Sequence, residues 1–175
     1  MNTDLKWTIF RPSTIFGDTR GNGRPEFCSH LKKDLINLPF PAPLFHEGLL
    51  TFDAGNFSMS PVHIKDVATS FVGSLKNEKT ELRTIELGGH DFTWKEIIQI
   101  IGSASGKKKF MVPAPVIAVK SVAKALDRFP WFPVTADQLT MLVEGNTCDS
   151  TKYFKENNIN PIPFSEENLS YLGKD

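Results

Sequence analysis

The side chains of this chain best suited to proton transfer or metal binding are four histidines, two cysteines and two tyrosines, and their spacing assembles none of them for it. His30, His46, His63 and His90 are dispersed, and each reads as a structural histidine. Cys28 and Cys148 have no Cys or His at ligand spacing, and they read as two buried thiols in a reducing compartment. Tyr153 is followed four residues on by Asn157, and Tyr171 by Asp175, so neither has a lysine one helical turn away to lower its pKa. A paired-His metal motif, a Walker loop, a Gly-x-Ser-x-Gly elbow and a Cys cluster are all missing from the sequence. Gly21-Asn22-Gly23 has two glycines of a phosphate fingerprint but lacks the third and lies too far beyond its strand, so it reads as a plain turn. The expectation is no catalytic residue and no metal.

Two features remain. Trp7 to Phe10 is a short apolar strand ended by Pro12, with Ser13-Thr14-Ile15 carrying the chain round a turn to Phe16-Gly17. Lys120, Lys124 and Arg128 recur every four residues on one helix face, followed by Phe129-Pro130-Trp131-Phe132-Pro133. A basic stripe ending in an aromatic loop suits a membrane surface or partner protein; the simpler reading is a solvated face and a packed loop.

The elements around these features alternate. A helix opening at Pro25 carries Phe27, Leu31, Leu35 and Ile36, and the proline-dense run Leu38 to Pro43 crosses the surface as extended chain. Phe45-His46 and Leu49 to Phe52 suggest small strands outside the main sheet. Pro61 to Ile64 is a further strand, and Asp66 stands where an N-cap belongs, opening a helix that buries Val67, Phe71, Val72 and Leu75. Thr84 to Leu87 is a third strand, parallel to the other two in one sheet and closed by Gly88-Gly89. Thr93 with Glu96 is a capping box for a helix whose apolar face is Trp94, Ile97, Ile98 and Ile101. Phe110 to Val112 is extended, and Pro113 and Pro115 set up a helix to about Arg128. A second capping box, Thr135 with Gln138, starts another helix, and Ser165 caps a last short one with Leu169 and Leu172.

Length and composition limit the classes of function. The chain's 175 residues suit one domain, and 40% hydrophobic with 23% charged residues describes an ordinary folded protein. Twenty basic and twenty acidic side chains cancel, so no global field favours nucleic acid or an anionic membrane. The amino-terminal residues have neither signal-peptide nor transit-peptide character, and no apolar stretch approaches the ~20 residues of a membrane span. The expected compartment is the cytoplasm.

Three segments in fixed order carry a resemblance: Arg11-Pro12-Ser13-Thr14-Ile15-Phe16-Gly17, Pro61 to Ala68, and Ile85-Glu86-Leu87-Gly88-Gly89. Together they resemble the second half of an extended or atypical short-chain dehydrogenase/reductase of the NAD-dependent epimerase/dehydratase family. Phe92 to Ile98, Val112 to Pro115 and Val134 to Leu139 are similar to the branch containing the 39-kDa accessory subunit of respiratory complex I and its bacterial homologues.

The resemblance implies an α/β fold, the carboxyl-terminal part of a Rossmann-like parallel sheet with a small, mainly helical substrate or cap region. Residues 1–175 then form a single domain or fragment, with 1–90 the sheet remnant plus an inserted cap segment and 91–175 the mainly helical cap. It implies that Pro12, Ser13, Thr14 and Ile15 border the nicotinamide, largely through backbone groups, at the carboxyl ends of the parallel strands. Asp66 matches the family's acidic helix start. Two family features have no counterpart here: the Gly-rich loop that holds the pyrophosphate at a helix amino terminus, and the Tyr-x-x-x-Lys pair. The implied function is the substrate-side half of an NAD(P)-dependent epimerase or dehydrogenase, incomplete alone. NAD or NADP serves the complete protein, and this chain holds neither tightly. Its expected partner is a missing amino-terminal Rossmann half, a second chain, or another copy paired along the exposed edge of Trp7 to Phe10. The competing class is a non-enzymatic scaffold or assembly module.

Overall fold

The structure, a computed structural model, describes residues 5–20, 26–48, 51–119, 121 and 144–173. Strand β1, Thr8–Pro12, lies parallel to β6, Arg83–Leu87, with Phe10 opposite Ile85 and Pro12 opposite Leu87. The Ser13 N–H donates to the Leu87 carbonyl at 2.8 Å, so the odd-numbered residues of β1 face β6 and the even-numbered ones face away. Pro12 therefore ends the strand from inside it: its missing N–H falls on the outer edge and costs the β1–β6 ladder nothing.

Past Pro12 the chain changes partner. Strand β2, Ile15–Phe16, runs parallel to β5, Val62–His63, with the Val62 N–H donating to the Thr14 carbonyl at 2.9 Å. The expected parallel pairing of Thr84 to Leu87 with the first strand is present, whereas Val62–His63 pairs with the continuation of that strand and not with either of the other two. The cause is the turn at Ser13, which carries the chain off β6 before β5 joins.

Strand β3, Ala42–His46, pairs in parallel with β8, Met111–Pro115. The proline-dense run Leu38 to Pro43, expected as extended chain crossing the surface, thus enters a two-stranded sheet at Ala42 and Pro43. Three prolines fit because of register. The Ala42 N–H donates to the Phe110 carbonyl, which sets the ladder's donors on even-numbered residues of both strands, while Pro43, Pro113 and Pro115 are odd. Strand β4, Ser58–Met59, pairs antiparallel with β7, Phe92–Thr93, so β3–β8 and β4–β7 both join residues from either side of position 90. Thr51 to Gly55 form turns where a small strand was expected, and Leu49 and Leu50 lie outside the described residues.

Helix α1, Phe27–Leu31, runs on into a π-helical turn, Lys32–Ile36. Both Glu26 oxygens cap it, accepting from the Cys28 N–H at 2.9 Å and the Ser29 N–H at 2.8 Å. Helix α2, Ile64–Ser74, is capped by His63 and not by Asp66, which sits inside the first turn. Of its expected apolar face only Val67 is buried; Phe71, Val72 and Leu75 are exposed. Among the described residues Phe71 packs on the Phe10 ring, with centroids 4.6 Å apart, and half of its surface stays open.

Helix α3, Trp94–Ala104, forms as expected, with the Thr93–Glu96 capping box in place. Trp94, Ile97, Ile98 and Ile101 are all buried, each contributing ~2 kcal/mol by area. They centre a core with Phe16, Phe45, Phe164 and Leu169; the Trp94 indole N–H donates to the Pro43 carbonyl at 2.9 Å. A second core of Val62, Val67, Leu87 and Phe154 lies between β5, β6 and helix α4, Thr151–Glu156, which sequence patterning did not mark. Leu169 and Leu172 are buried in the closing turns after Ser165. Residues 116–119 and 121 are helical after Pro115. The Lys120–Lys124–Arg128 stripe, the aromatic loop, the Thr135–Gln138 box, Pro25 and Gly21 to Gly23 lie outside the described residues. Among those described, no helix is long and apolar enough to cross a membrane, and no cluster of three His, Cys, Asp or Glu side chains forms a metal site.

Candidate functional site

The carboxyl ends of β1 and β6 meet at Pro12–Ser13 and Gly88–Gly89, and close approach explains both glycines. A Cβ on Gly88 would lie 2.5 Å from Cys148 Sγ and 2.8 Å from Ser60 Cβ, and one on Gly89 would overlap the Pro61 carbonyl oxygen. Across these ends runs a strap, residues 146–150. The Asn146 carbonyl accepts from the Ser13 hydroxyl at 2.6 Å and the Ser60 N–H at 3.0 Å, and the Asn146 N–H donates to the Ser58 carbonyl. The buried Ser60 hydroxyl accepts the Cys148 N–H at 2.9 Å and donates to Asp91 Oδ1. Ser150 Oγ accepts from the Gly88 N–H at 2.8 Å and donates to the Glu86 carbonyl at 2.9 Å.

Beside the strap opens a cleft of about 560 Å³, walled by Gly88 to Phe92 on one side and by Cys148, Phe154 and Pro161 to Phe164 on the other. Its walls are largely apolar, with His90, Asp91, Asp149 and Lys155 at the margin. Burial pushes the Cys148 thiol pKa up, which disfavours the thiolate, and Ser60 faces Asp91 without a histidine between them. The cleft has room for a small ligand, and among its described residues no nucleophile is activated by a neighbouring base.

The four residues expected beside a nicotinamide sit at this strand end but do not line the cleft. Ser13 is buried, and its hydroxyl and N–H are both committed inside the protein, to Asn146 and Leu87. The Thr14 carbonyl is taken by Val62, its hydroxyl contacts Met59 Sδ at 3.6 Å, and Ile15 packs on the second core. Pro12 is half-buried at the outer edge.

The histidines stay apart. His30 and His90 are exposed, His46 is buried with Nδ1 against the Gly48 carbonyl, and His63 serves as the α2 cap. Cys28 is buried as expected, and its pKa is driven far up by burial; Cys148 is only half-buried. Tyr153 packs edge-on to Phe10, and Tyr171 is in the last turn, its pKa raised by burial. Neither tyrosine borders the cleft. Sequence reading missed Ser60, Asp91, Asn146 and Ser150. Ser60 and Asp91 are 31 positions apart and Ser60 and Cys148 are 88 apart, and no local spacing signals pairs like these.

No family model matches the chain. It is 26% identical over 168 residues to the mitochondrial 40 kDa subunit of NADH-ubiquinone oxidoreductase of Neurospora crassa, covering 94% of this chain and 40% of that one. Among solved structures it is similar to a nucleoside-diphosphate-sugar epimerase of Staphylococcus aureus, with TM-score 0.59 and 18% identity over 98% of this chain and 53% of the other. It is also similar to the UDP-glucose 4-epimerase of Thermus thermophilus in complex with NAD, with TM-score 0.58 and 18% identity, over 95% of this chain and 45% of that one. The chain thus spans about half, or less, of the length of these proteins. The resemblance drawn from Arg11–Gly17, Pro61–Ala68 and Ile85–Gly89 is borne out: the chain has the α/β fold of nucleotide-sugar epimerases and is similar in sequence to a complex I subunit.

Proposed function

We propose that this chain is the substrate-side part of an NAD(P)-dependent epimerase- or dehydrogenase-like protein and is catalytically incomplete alone. The observation that carries the reading is the cleft at the carboxyl ends of the parallel pair β1–β6, beside Gly88–Gly89, in a fold that spans about half of the epimerase chains. In this proposal NAD or NADP lies across the ends of β1, with Pro12, Ser13, Thr14 and Ile15 at the nicotinamide. Since Ser13 is committed inward, their contribution is shape and backbone. The anchoring pyrophosphate site, a Gly-rich loop at a helix amino terminus, belongs to another segment.

The free edge of β1 supports the missing complement. Thr8 and Phe10 point their N–H and C=O groups away from β6, and among the described residues no strand pairs there. Both faces beside that edge are apolar and exposed, Ile9 on one and Phe71, Val72 and Leu75 on the other. Apolar cover on both faces belongs to an interior strand of a parallel sheet. The amino-terminal Rossmann half, in the same or a second polypeptide, is the complement; pairing with another copy is the substitute.

A second reading, a non-enzymatic assembly module in the manner of a complex I subunit, is favoured by the Neurospora relative. The sequence encoded upstream separates the two. A Gly-x-x-Gly-x-x-Gly and a Tyr-x-x-x-Lys there support the enzyme, and degenerate versions support the module. The cytoplasm remains the proposed compartment, with the mitochondrion, from the relative's name, as the alternative. Calorimetric titration of this chain with NAD and NADP tests the division of labour: the expected affinity is millimolar or weaker, and micromolar binding overturns it.

A further inference from the structure

The parallel pairing of β3 with β8 has an effect at the end away from the candidate site. It brings together two lead-in segments 69 positions apart, Leu38 to Pro41 and Lys107 to Phe110, with the Ala42 N–H donating to the Phe110 carbonyl at 2.8 Å. Phe40 and Phe110 are 69% and 75% exposed there, and Leu38 is 40% exposed. Rings this open are uncommon on a folded surface unless something covers them.

Lysines ring this apolar group. Lys109 Nζ donates to the Leu38 carbonyl at 2.6 Å and the Ile36 carbonyl at 3.4 Å, closing the carboxyl end of the π-helical turn. Lys107 Nζ donates to Asn37 Oδ1 at 2.7 Å. Lys108 is exposed and makes no hydrogen bond or ion pair among the described residues. The three ammonium groups share a shallow concavity of about 420 Å³ with Leu38, Phe40 and Phe110, and no acidic side chain lines it. Two of the lysines fasten the aromatic loop to its neighbour, so the patch is a braced platform.

We propose that this lysine-ringed aromatic platform docks the protein on an anionic lipid bilayer. Phenylalanine, leucine and proline tips suit the headgroup–acyl boundary, and lysine stems lie along apolar surface with their charges at the phosphate level. Each lysine near an anionic leaflet strengthens attachment severalfold, and the effect is screened by salt. Nucleic acid fits less well, because the platform has no arginine and its neighbouring amide, Asn37, is engaged by Lys107 and not free to read base edges. The net charge of the whole chain is zero, so any attraction is local to this face. The proposal does not depend on the reading of the cleft.

Flotation of the whole chain with vesicles tests it, using phosphatidylcholine alone against equal parts phosphatidylcholine and phosphatidylserine. The expected result is at least tenfold stronger partition onto the anionic vesicles, falling as salt is raised. Lys107→Gln with Lys108→Gln weakens it roughly thirtyfold, and Phe40→Ser with Phe110→Ser weakens it roughly tenfold or more, both with unchanged circular dichroism because these side chains are exposed. A Phe110→Trp reporter shifts its emission to the blue when anionic vesicles are added. Equal binding to both vesicle types, or anionic binding indifferent to the two double variants, overturns the proposal. Tighter binding to duplex DNA that ignores the phenylalanines overturns it in favour of nucleic acid. Vesicle-independent self-association abolished by the same variants overturns it in favour of a second copy.

Discussion

The Asp66 carboxylate accepts the backbone N–H of Ile162 at 2.8 Å, tying the carboxyl-terminal segment to the first turn of α2 across 96 positions of sequence. This bond, and not an N-cap, is what an acidic residue at this position does here. Burial raises the Asp66 pKa above its ordinary 3.8, and the Ile162 N–H and neighbouring His63 pull it partly back. The folded state thus holds the proton more tightly than the unfolded chain, and stability falls as pH rises from 3.8 through the folded pKa. Asp66→Asn keeps an acceptor for Ile162 and should flatten that slope; Asp66→Ala leaves the amide without its partner and should cost ~1–2 kcal/mol. Urea unfolding between pH 3.5 and 7 measures both (about the window in which buried carboxyls titrate).

His63 predicts the opposite slope. Its Nδ1 accepts the Lys65 N–H at 3.1 Å, which requires the neutral ring, and burial lowers its pKa below 6.5. Asp66, facing it, opposes that shift, and Lys65 adds to it. The unfolded chain binds the proton first, so stability is lost as pH falls below 6.5 toward the folded pKa. His63→Asn retains a capping acceptor without the titration. Thermal unfolding across that range should show the loss in the parent and a flatter profile in the variant; an unchanged slope removes His63 as the source.

Thr93 carries a local test. Its hydroxyl accepts the Glu96 N–H, while Glu96 Oε2 accepts the Thr93 N–H at 2.8 Å and lowers the Glu96 pKa below 4.5. Thr93→Ala should cost about 1 kcal/mol. The Glu96 share is present above pH 4.5 and lost as pH falls through the folded pKa, so the cost of Thr93→Ala should shrink in acid. Denaturant midpoints at neutral and acid pH make the comparison.

Two glycines should respond in opposite directions. Gly89→Ala drives a methyl into the Pro61 carbonyl, which rigid backbone cannot yield, and should destabilise by about 2 kcal/mol or more. Gly73, inside α2, has nothing within 4 Å of the point an added methyl would occupy, and Gly73→Ala should stabilise by ~0.5–1 kcal/mol. Equilibrium unfolding of the two single variants checks the signs.

What the sequence determined by itself was local or strictly periodic. Thr93 caps Glu96 three residues on, and Trp94, Ile97, Ile98 and Ile101 share one helix face, because helical geometry fixes those relations before any tertiary contact forms. The parallel pairing of Thr84 to Leu87 with the first strand was legible too, since apolar strands joined through a helix have few ways to pair. Tertiary structure decided the rest. Pro43, Pro113 and Pro115 entered a sheet because a register between segments 69 positions apart placed all three where no donor is needed. His63 is the cap because the chain turns helical at Ile64, and Asp66, inside the first turn, instead accepts the N–H of Ile162 from the far end of the chain. Phe71, Val72 and Leu75 have the spacing of a buried face yet stand exposed, since spacing defines a face but only a packing partner buries it. The strap beside the cleft follows the same rule: Ser60, Asp91 and residues Asn146 to Ser150 meet only because distant backbone segments converge on Gly88 and Gly89, where the absence of a Cβ lets them close.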